Sequence, residues 1–176
     1  MTPPFGPDPP LTDGTVLLRA PEARDLPAIE AGIRDPDVIR WIGPTMGTAM
    51  DVLAEARTRW TSGSPAFSIC ERDGTCVGQI WISMRVADHK AGSVGYWLLP
   101  TARRRGLATR AVRLVSGWAV RVLGITDLRL TTEPENERSR RVAERSGFRQ
   151  TAVLRQSATI DGRLIDQVVY KLVTDE

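Results

Sequence analysis

"WLLPTARRRGLATRA", residues 97–111, sets three consecutive arginines and a glycine between an apolar run and a helix-like run. Read as strand, turn and helix, it places Arg103, Arg104 and Arg105 at a helix start. That end already carries free backbone N–H groups and the positive end of the helix dipole. Cations there oppose the dipole, so helix stability does not explain them. An anion seated on the turn does. Gly106 lets the backbone come close because no Cβ stands in the way, Ala108 keeps a neighbouring position small, and the arginines add forked donors for phosphate oxygens. A solvated basic loop is the other reading, and the conflict with the dipole weighs against it. The motif is neither GxxxxGK[ST] nor GxGxxG, so neither a P-loop nor a dinucleotide fingerprint is indicated.

Working outward, Leu107, Ala111, Leu114, Val115, Trp118 and Val122 fall on one face of the helix that follows. "DLRLTTE" (127–133) reads as the next strand. A strand joined to a strand through a helix implies parallel neighbours. Upstream, "TVLLRA" (15–20) reads as a strand and "PEARDLPAIEAGIRD" as a helix ending before Pro36, followed by a short helical turn in "DPDVIRWIG". "TAMDVLAEARTRWTSG" is expected to form a helix with Met50, Leu53, Ala54, Arg57 and Trp60 in repeat. "AFSICERDGTCVGQIWISMRV" alternates around Asp73-Gly74 as a hairpin, and "GSVGYWLLP" is a further strand. "NERSRRVAERSG" reads as a short helix with Gly147 at its C′ position, and a final hairpin turns at Asp161-Gly162. The order predicts an α+β domain: a single mixed, mostly antiparallel sheet flanked by helices.

The 176 residues and 41% hydrophobic content suit one domain. Residues 1–12, with five prolines in the first ten, are expected to be a flexible arm, leaving 13–176 as the single domain. No apolar run is long enough to span a membrane, and "MTPPFGPDPP" is no secretory signal, so the expected location is cytoplasmic. Formal charge is +3, and 22 of the 24 basic residues are arginine, as in a chain from a GC-rich bacterial genome. A basic balance fits nucleic acid and phosphorylated small molecules alike. A recognition-helix pattern or aromatic–basic stacking set is missing, so nucleic acid is not the expected partner. A two-residue turn at Asp73-Gly74 would pair Cys70 with Val77 and point the Cys70 and Cys76 sulfurs to opposite faces, whereas a three-residue turn would bring them opposite. With no CxxC and one histidine, His89, no metal is expected.

Four blocks, in order, carry a resemblance that covers roughly residues 14–173: "LLRAPEARDLPAI" (17–29), "RRRGLA" (103–108), "NERSRRVAERSGF" (136–148) and "IDGRLIDQVVYKL" (160–172). The second resembles the R/Q-x-x-G-x-G/A signature of the GNAT N-acetyltransferase superfamily. The third is similar to the N-x-x-S-x-x-x-x-E-K-x-G-F segment of its RimJ/RimL-type subgroup. The resemblance implies the GNAT fold, with a splayed parallel strand pair, and an acyl-CoA-dependent N-acyltransferase. The donor would be acetyl-CoA or another acyl-CoA such as succinyl-CoA. The acceptor would be a primary amine of a small molecule or a protein N-terminus; no membrane partner is implied, and a homodimer stays open. Carried over by position, main-chain groups of Trp97, Leu98 and Leu99 would line the pantetheine arm. Arg103, Arg104, Arg105, Gly106, Leu107, Ala108 and Thr109 would hold the pyrophosphate, and a backbone N–H near Leu99 would support the developing oxyanion. Asn136 would bond pantetheine, Ser139 would face the thioester sulfur as its proton donor, and Arg145 would sit toward the 3′-phosphate.

Each assignment has a plainer counterpart. Asn136 is a good N-cap, which would make Ser139 an ordinary first-turn residue. Tyr96 and Trp97, on a strand, read more readily as core than as site, and Trp118 lies on an apolar stripe. Trp41, Trp60 and Trp81 fall in segments able to wall a substrate cleft or to fill the core. The sequence departs from the family at "GSVGY" (92–96), where relatives often carry A-E-x-G-Y: Ser93 stands in the slot of a glutamate suited to general-base work. Glu133 is the first substitute and Asp166 the second, with Glu135 and His89 below them as expected loop residues. That loss also raises the alternative of a catalytically weak CoA-binding sensor or scaffold.

Overall fold

The computed structural model describes residues 7, 10–85 and 88–173. Of the expected arm, residues 1–6, 8 and 9 lie outside the described residues, while Leu11–Thr12 form a short strand, β1. It pairs antiparallel with β2 (Val16–Arg19). A 3₁₀ turn (Ala23–Asp25) leads into α1 (Leu26–Ile33), α2 (Pro36–Ile42) and α3 (Ala49–Thr61). Then come β3 (Ala66–Glu71), β4 (Cys76–Arg85) and β5 (Asp88–Leu98). A 3₁₀ turn at Pro100–Ala102 precedes α4 (Leu107–Leu123), β6 (Asp127–Thr132), α5 (Glu137–Arg145), β7 (Phe148–Ile160) and β8 (Arg163–Leu172). Among the described residues the strands form one sheet in the order β1-β2-β3-β4-β5-β6-β8-β7. Only β5 and β6 pair in parallel, as the helical crossover between them requires. No described helix is long and apolar enough to cross a membrane.

The α4 helix packs across β2, β4 and β5 and beside α5, while α1 packs on α3 and β4. Trp60, Phe67 and Trp118 meet edge to face, with ring centroids 4.9 to 5.9 Å apart. Trp60 is therefore core, as Trp118 was expected to be. Two expected faces shift. The buried face of α3 is Ala49, Leu53, Ala56 and Trp60, and Met50 is 60% exposed. On α4, Ala108, Val112 and Ala119 join the stripe, whereas Val122 is 52% exposed because the sheet ends short of the last turn.

The β3–β4 connection corrects the two-residue turn. Glu71 N–H donates to Thr75 O at 2.9 Å, Gly74 takes φ +88°, and the three-residue loop sets Cys70 opposite Cys76. This is the hairpin whose third loop residue is left-handed. Both thiols are free and buried. The last hairpin turns as expected, with Asp161 at φ +47° and Gly162 at +72°.

The start of α1 is tied to the sheet by a buried carboxylate. Asp25 accepts two hydrogen bonds from Arg19, at 2.8 and 2.7 Å, one from Ser68 Oγ at 2.7 Å and one from Glu22 N–H at 2.9 Å. Burial works to raise its pKa, but the hydrogen bonds from Arg19, Glu22 and Ser68 hold it below the usual carboxylate value. Asp25→Ala strands the buried guanidinium and is expected to cost about 3–5 kcal/mol in urea unfolding. A depressed folded pKa means that the ionised Asp25 stabilises the fold fully above its unfolded pKa, about 3.9. The difference between wild type and variant should therefore shrink as the pH falls below that value, through the folded pKa.

Candidate functional site

Chain direction opens the site. The parallel ladder holds only Ala91 to Asp127, Gly92 to Leu128 and Ser93 to Arg129. Beyond it, β5 stays on β4 and β6 stays on β8, so the two strands part. Along β5, Lys90 O accepts from Thr126 N–H, and Leu98 O accepts from Arg103 Nε, both on the β6 side. Leu99 N–H donates the other way, to Val77 O at 2.9 Å. Strand alternation then turns the main-chain groups of Tyr96 and Leu98 into the gap. This corrects the expected trio: Leu98 faces the gap, but the main-chain groups of Trp97 and Leu99 face β4. The Leu99 N–H is committed to β4, whereas the Leu98 N–H opens into the gap. The Trp97 indole lies over Gly32, where a Cβ would come within 2.3 Å of it.

A cleft of about 630 Å³ fills the gap. Trp97, Leu98, Arg103, Arg104, Gly106, Leu107, Ala108 and Thr109 border it, and so do Glu133, Asn136, Ser139 and Arg145. Leu99 and Arg105 lie outside this lining. The first bond of α4 is Arg110 N–H to Gly106 O, which leaves the N–H groups of Leu107, Ala108 and Thr109 without a helical acceptor. Gly106 adds no side-chain cap. It takes φ +76°, and a Cβ there would meet nothing within 4 Å. Glycine is thus required for a left-handed turn, not for closeness to another part of the chain.

The three arginines divide. Arg103 donates to Asp35 at 2.5 Å, Asp37 at 3.0 Å and Leu98 O at 3.0 Å, so its guanidinium braces α2 against the turn. Arg105 pairs with Glu71 at 2.5 Å, away from the cleft. Arg104, at φ +62°, borders the cleft and has no ion-pair partner among the described residues. Arg145 gives its carbonyl to Arg113 and leaves its guanidinium uncommitted among the described residues. The groups left open at the turn are therefore backbone N–H groups with the Arg104 and Arg145 guanidiniums, while Arg103 is held by α2.

Asn136 is the N-cap of α5: its Oδ1 accepts from Ser139 N–H at 3.1 Å. Its amide NH₂ remains able to donate, so capping and ligand binding are compatible. Ser139 Oγ accepts from the Tyr96 hydroxyl at 3.3 Å. Burial pushes the Tyr96 pKa up to about 12, against a smaller lowering by Ser139. Tyr96, weighed in the sequence as core or site, borders the cleft and touches Ser139.

Ser93 borders the cleft, in the slot where no carboxylate stands. Glu133, 5% exposed, reaches the cleft from the end of β6. Its Oε1 accepts from Arg40 at 2.7 Å and lies 3.6 Å from Arg163, and its Oε2 has no protein partner among the described residues. Asp166 is excluded. It does not border the cleft, and it binds Gln156 N–H and Arg155, which lower its pKa in that order. His89 is an exposed residue at the start of β5 and not in a loop, and Glu135 is an exposed loop residue. Among the described residues no cluster of three metal-ligating side chains occurs.

The model of the acetyltransferase (GNAT) domain matches residues 15–149. The putative ribosomal N-acetyltransferase YdaF of Bacillus subtilis is 28% identical over 104 residues, which cover 59% of this chain. The chain spans little more than half the length of the first curated relatives it matches, 55% and 57%. The fold is that of a putative ribosomal-protein-serine acetyltransferase from Vibrio cholerae, with a TM-score of 0.79, 22% identity and coverage of 99% of this chain and 100% of that one. It is equally that of the microcin C7 self-immunity acetyltransferase MccE, solved with acetyl-CoA and AMP. There the TM-score is 0.78 and the identity 18%, covering 95% of this chain and 100% of that one.

The seat can be tested through its glycine. Gly106→Val forces a β-branched residue into the left-handed region, at a cost of about 1–2 kcal/mol. It should also weaken CoA binding more than tenfold by calorimetry. Gly63→Val, at φ +77° with equally open space beyond the end of α3 and outside the cleft lining, carries the same strain and should leave CoA affinity unchanged.

Proposed function

The chain belongs to the GNAT acetyltransferase family, and on that premise we propose that it transfers an acyl group, acetyl in the first place, from acyl-CoA directly to a primary amine. The acceptor is a small molecule or a protein N-terminus; the names of the ribosomal N-acetyltransferase and the ribosomal-protein-serine acetyltransferase support a protein acceptor. The observation that carries the reading is the parted β5–β6 pair, with its free main-chain groups leading from the N-terminus of α4 to Ser139. Acyl-CoA, when bound, supplies the acyl group as an activated thioester. The N–H groups of Leu107, Ala108 and Thr109, with Arg104 and Arg145, would hold its phosphates. The Tyr96 and Leu98 main chain would take the pantetheine amides as a missing strand would, with Asn136 donating from α5. The Leu98 N–H faces the place where carbonyl charge develops.

Ser139 already accepts from Tyr96, so its own proton is free for the departing sulfur, and Tyr96 supports the oxygen as that proton leaves. Glu133 Oε2 would order the water that takes the proton of the amine, filling the function vacated at Ser93. No covalent intermediate is called for: Cys70 and Cys76 are buried outside the cleft, and the Cys70 thiol is pushed up by its hydrogen bond to Cys76 and by burial. A binding-only role is not favoured, because this proton-carrying set borders the reacting end of the gap.

Release of CoA thiol from acetyl-CoA with an amine panel tests the activity itself. Ser139→Ala should lower kcat by on the order of 10- to 1,000-fold and leave acetyl-CoA affinity unchanged, since a proton donor to the leaving group matters only in the transition state. If Ser139 only starts the helix, the variant instead loses up to about 1 kcal/mol of stability and turns over normally. Glu133→Gln should remove the acidic limb of the kcat profile; an unaltered limb returns deprotonation to solvent.

A further inference from the structure

Past Ser139 the cleft continues away from α4, to an end bounded by Trp41 and Ile42 of α2, Trp81 of β4, and Ile160 and Ile165 of the β7–β8 hairpin. These side chains are placed by specific local features. The Trp81 indole lies directly over Gly95 of β5, where a Cβ would come within 2.4 Å of the ring, so any larger residue would displace it. Gly43, at φ +102°, ends α2 against Ile160, whose Cγ2 would lie 3.7 Å from a Cβ at that position. Arg163 bridges the hairpin to α2 by donating to Arg40 O at 3.2 Å. The Arg40 guanidinium stacks on Trp41, 4.1 Å from the ring centroid. Five apolar side chains from three separate elements thus converge on one cavity wall, and Ile42 remains 41% exposed. An apolar wall with a few placed polar groups is the usual form of a small-molecule site.

The charge at this end narrows the ligand. The carboxylates that border the cleft are already paired, Glu133 with Arg40 and Asp37 with Arg103 and Arg138. No unpaired carboxylate is left for the second ammonium group of a polyamine. The five side chains of this wall carry no hydroxyl or amide, so a small polyhydroxylated amine desolvated against them would lack partners there, Ser93 and Gln167 being polar neighbours elsewhere in the cleft lining.

Taking the acyl-transfer reading as given, we infer that the acceptor is a monoamine whose nitrogen is attached to an aromatic or bulky apolar body seated between Trp41 and Trp81. Polyamines and short hydroxyamines are not its substrates. Aromatic rings stack well on indole faces, and loss of fitting apolar groups from such a pocket costs about 10- to 200-fold in specificity.

The test measures kcat/KM with acetyl-CoA for phenethylamine, the peptide amide Phe-Gly-Gly, ethanolamine and spermidine. The aromatic amines should exceed ethanolamine and spermidine by at least about tenfold. Preference for phenethylamine over the peptide identifies a small-molecule acceptor, and the reverse a protein N-terminus. Trp41→Ala and the surface change Ile42→Ser should each lower the aromatic-to-ethanolamine ratio several-fold without altering the KM for acetyl-CoA. A ratio is insensitive to the fraction of folded protein, and Ile42→Ser disturbs no core. Equal rates across the panel, or a preference for spermidine, overturns the inference. If no amine is turned over although acetyl-CoA binds, the acyl-transfer reading fails. Calorimetric titration of phenethylamine into the CoA-bound protein then decides this inference separately: binding weakened by Trp41→Ala upholds it, and no binding overturns it.

Discussion

Two parallel strands that stop bonding to each other halfway along set the terms for the rest of this structure. Three residue pairs close the β5–β6 ladder, and after Ser93 and Arg129 the strands follow different partners. Main-chain groups left open inside a fold are costly unless something meets them. Here they face a cleft, and the turn into α4 lies at its mouth. The geometry asks for an extended ligand with amides along its length and negative charge at one end.

The arginine turn shows how one anion seat is built and balanced. Three guanidinium groups at a helix start would repel one another and the dipole. The fold answers by pairing Arg103 with Asp35 and Asp37, and Arg105 with Glu71. Asp37 also receives Arg138 from α5, so α2, the turn and α5 share one ion-pair network around the cleft. Arg104 is left to face a ligand. The seat is consequently less charged than its sequence suggests, and more dependent on backbone N–H groups.

At the reacting end, two elements that bind nothing in common along the chain are brought within hydrogen-bond distance. Tyr96 comes from β5 and Ser139 from α5, and the parting of the strands is what makes room between them. Where relatives often carry a glutamate on β5 this chain has Ser93, and a carboxylate borders the cleft from the neighbouring strand, where β6 ends and Glu133 emerges beside Arg40. A buried acid held on one oxygen by a guanidinium and open on the other is suited to ordering water more than to direct attack on a proton.

The sequence by itself determined what depends on near neighbours. The element order, the Asn136 cap and the Asp161-Gly162 turn follow from residues a few positions apart, because turn sterics and helix ends are local, and the parallel crossover follows from a helix set between two strands. The tertiary structure decided what depends on distant pairing. Arg103 meets Asp35 across 68 positions and Arg40 meets Glu133 across 93, and no spacing rule announces either. Cys70 faces Cys76 because the loop holds three residues, not two, and Leu98 rather than Leu99 opens to the cleft because of strand alternation. Trp60 is core while Trp41 and Trp81 border the cleft, although all three sit in amphipathic segments. In each case the residue type was legible, but its face was set by register and by where the sheet ends, and a one-residue slip in a strand reverses every face.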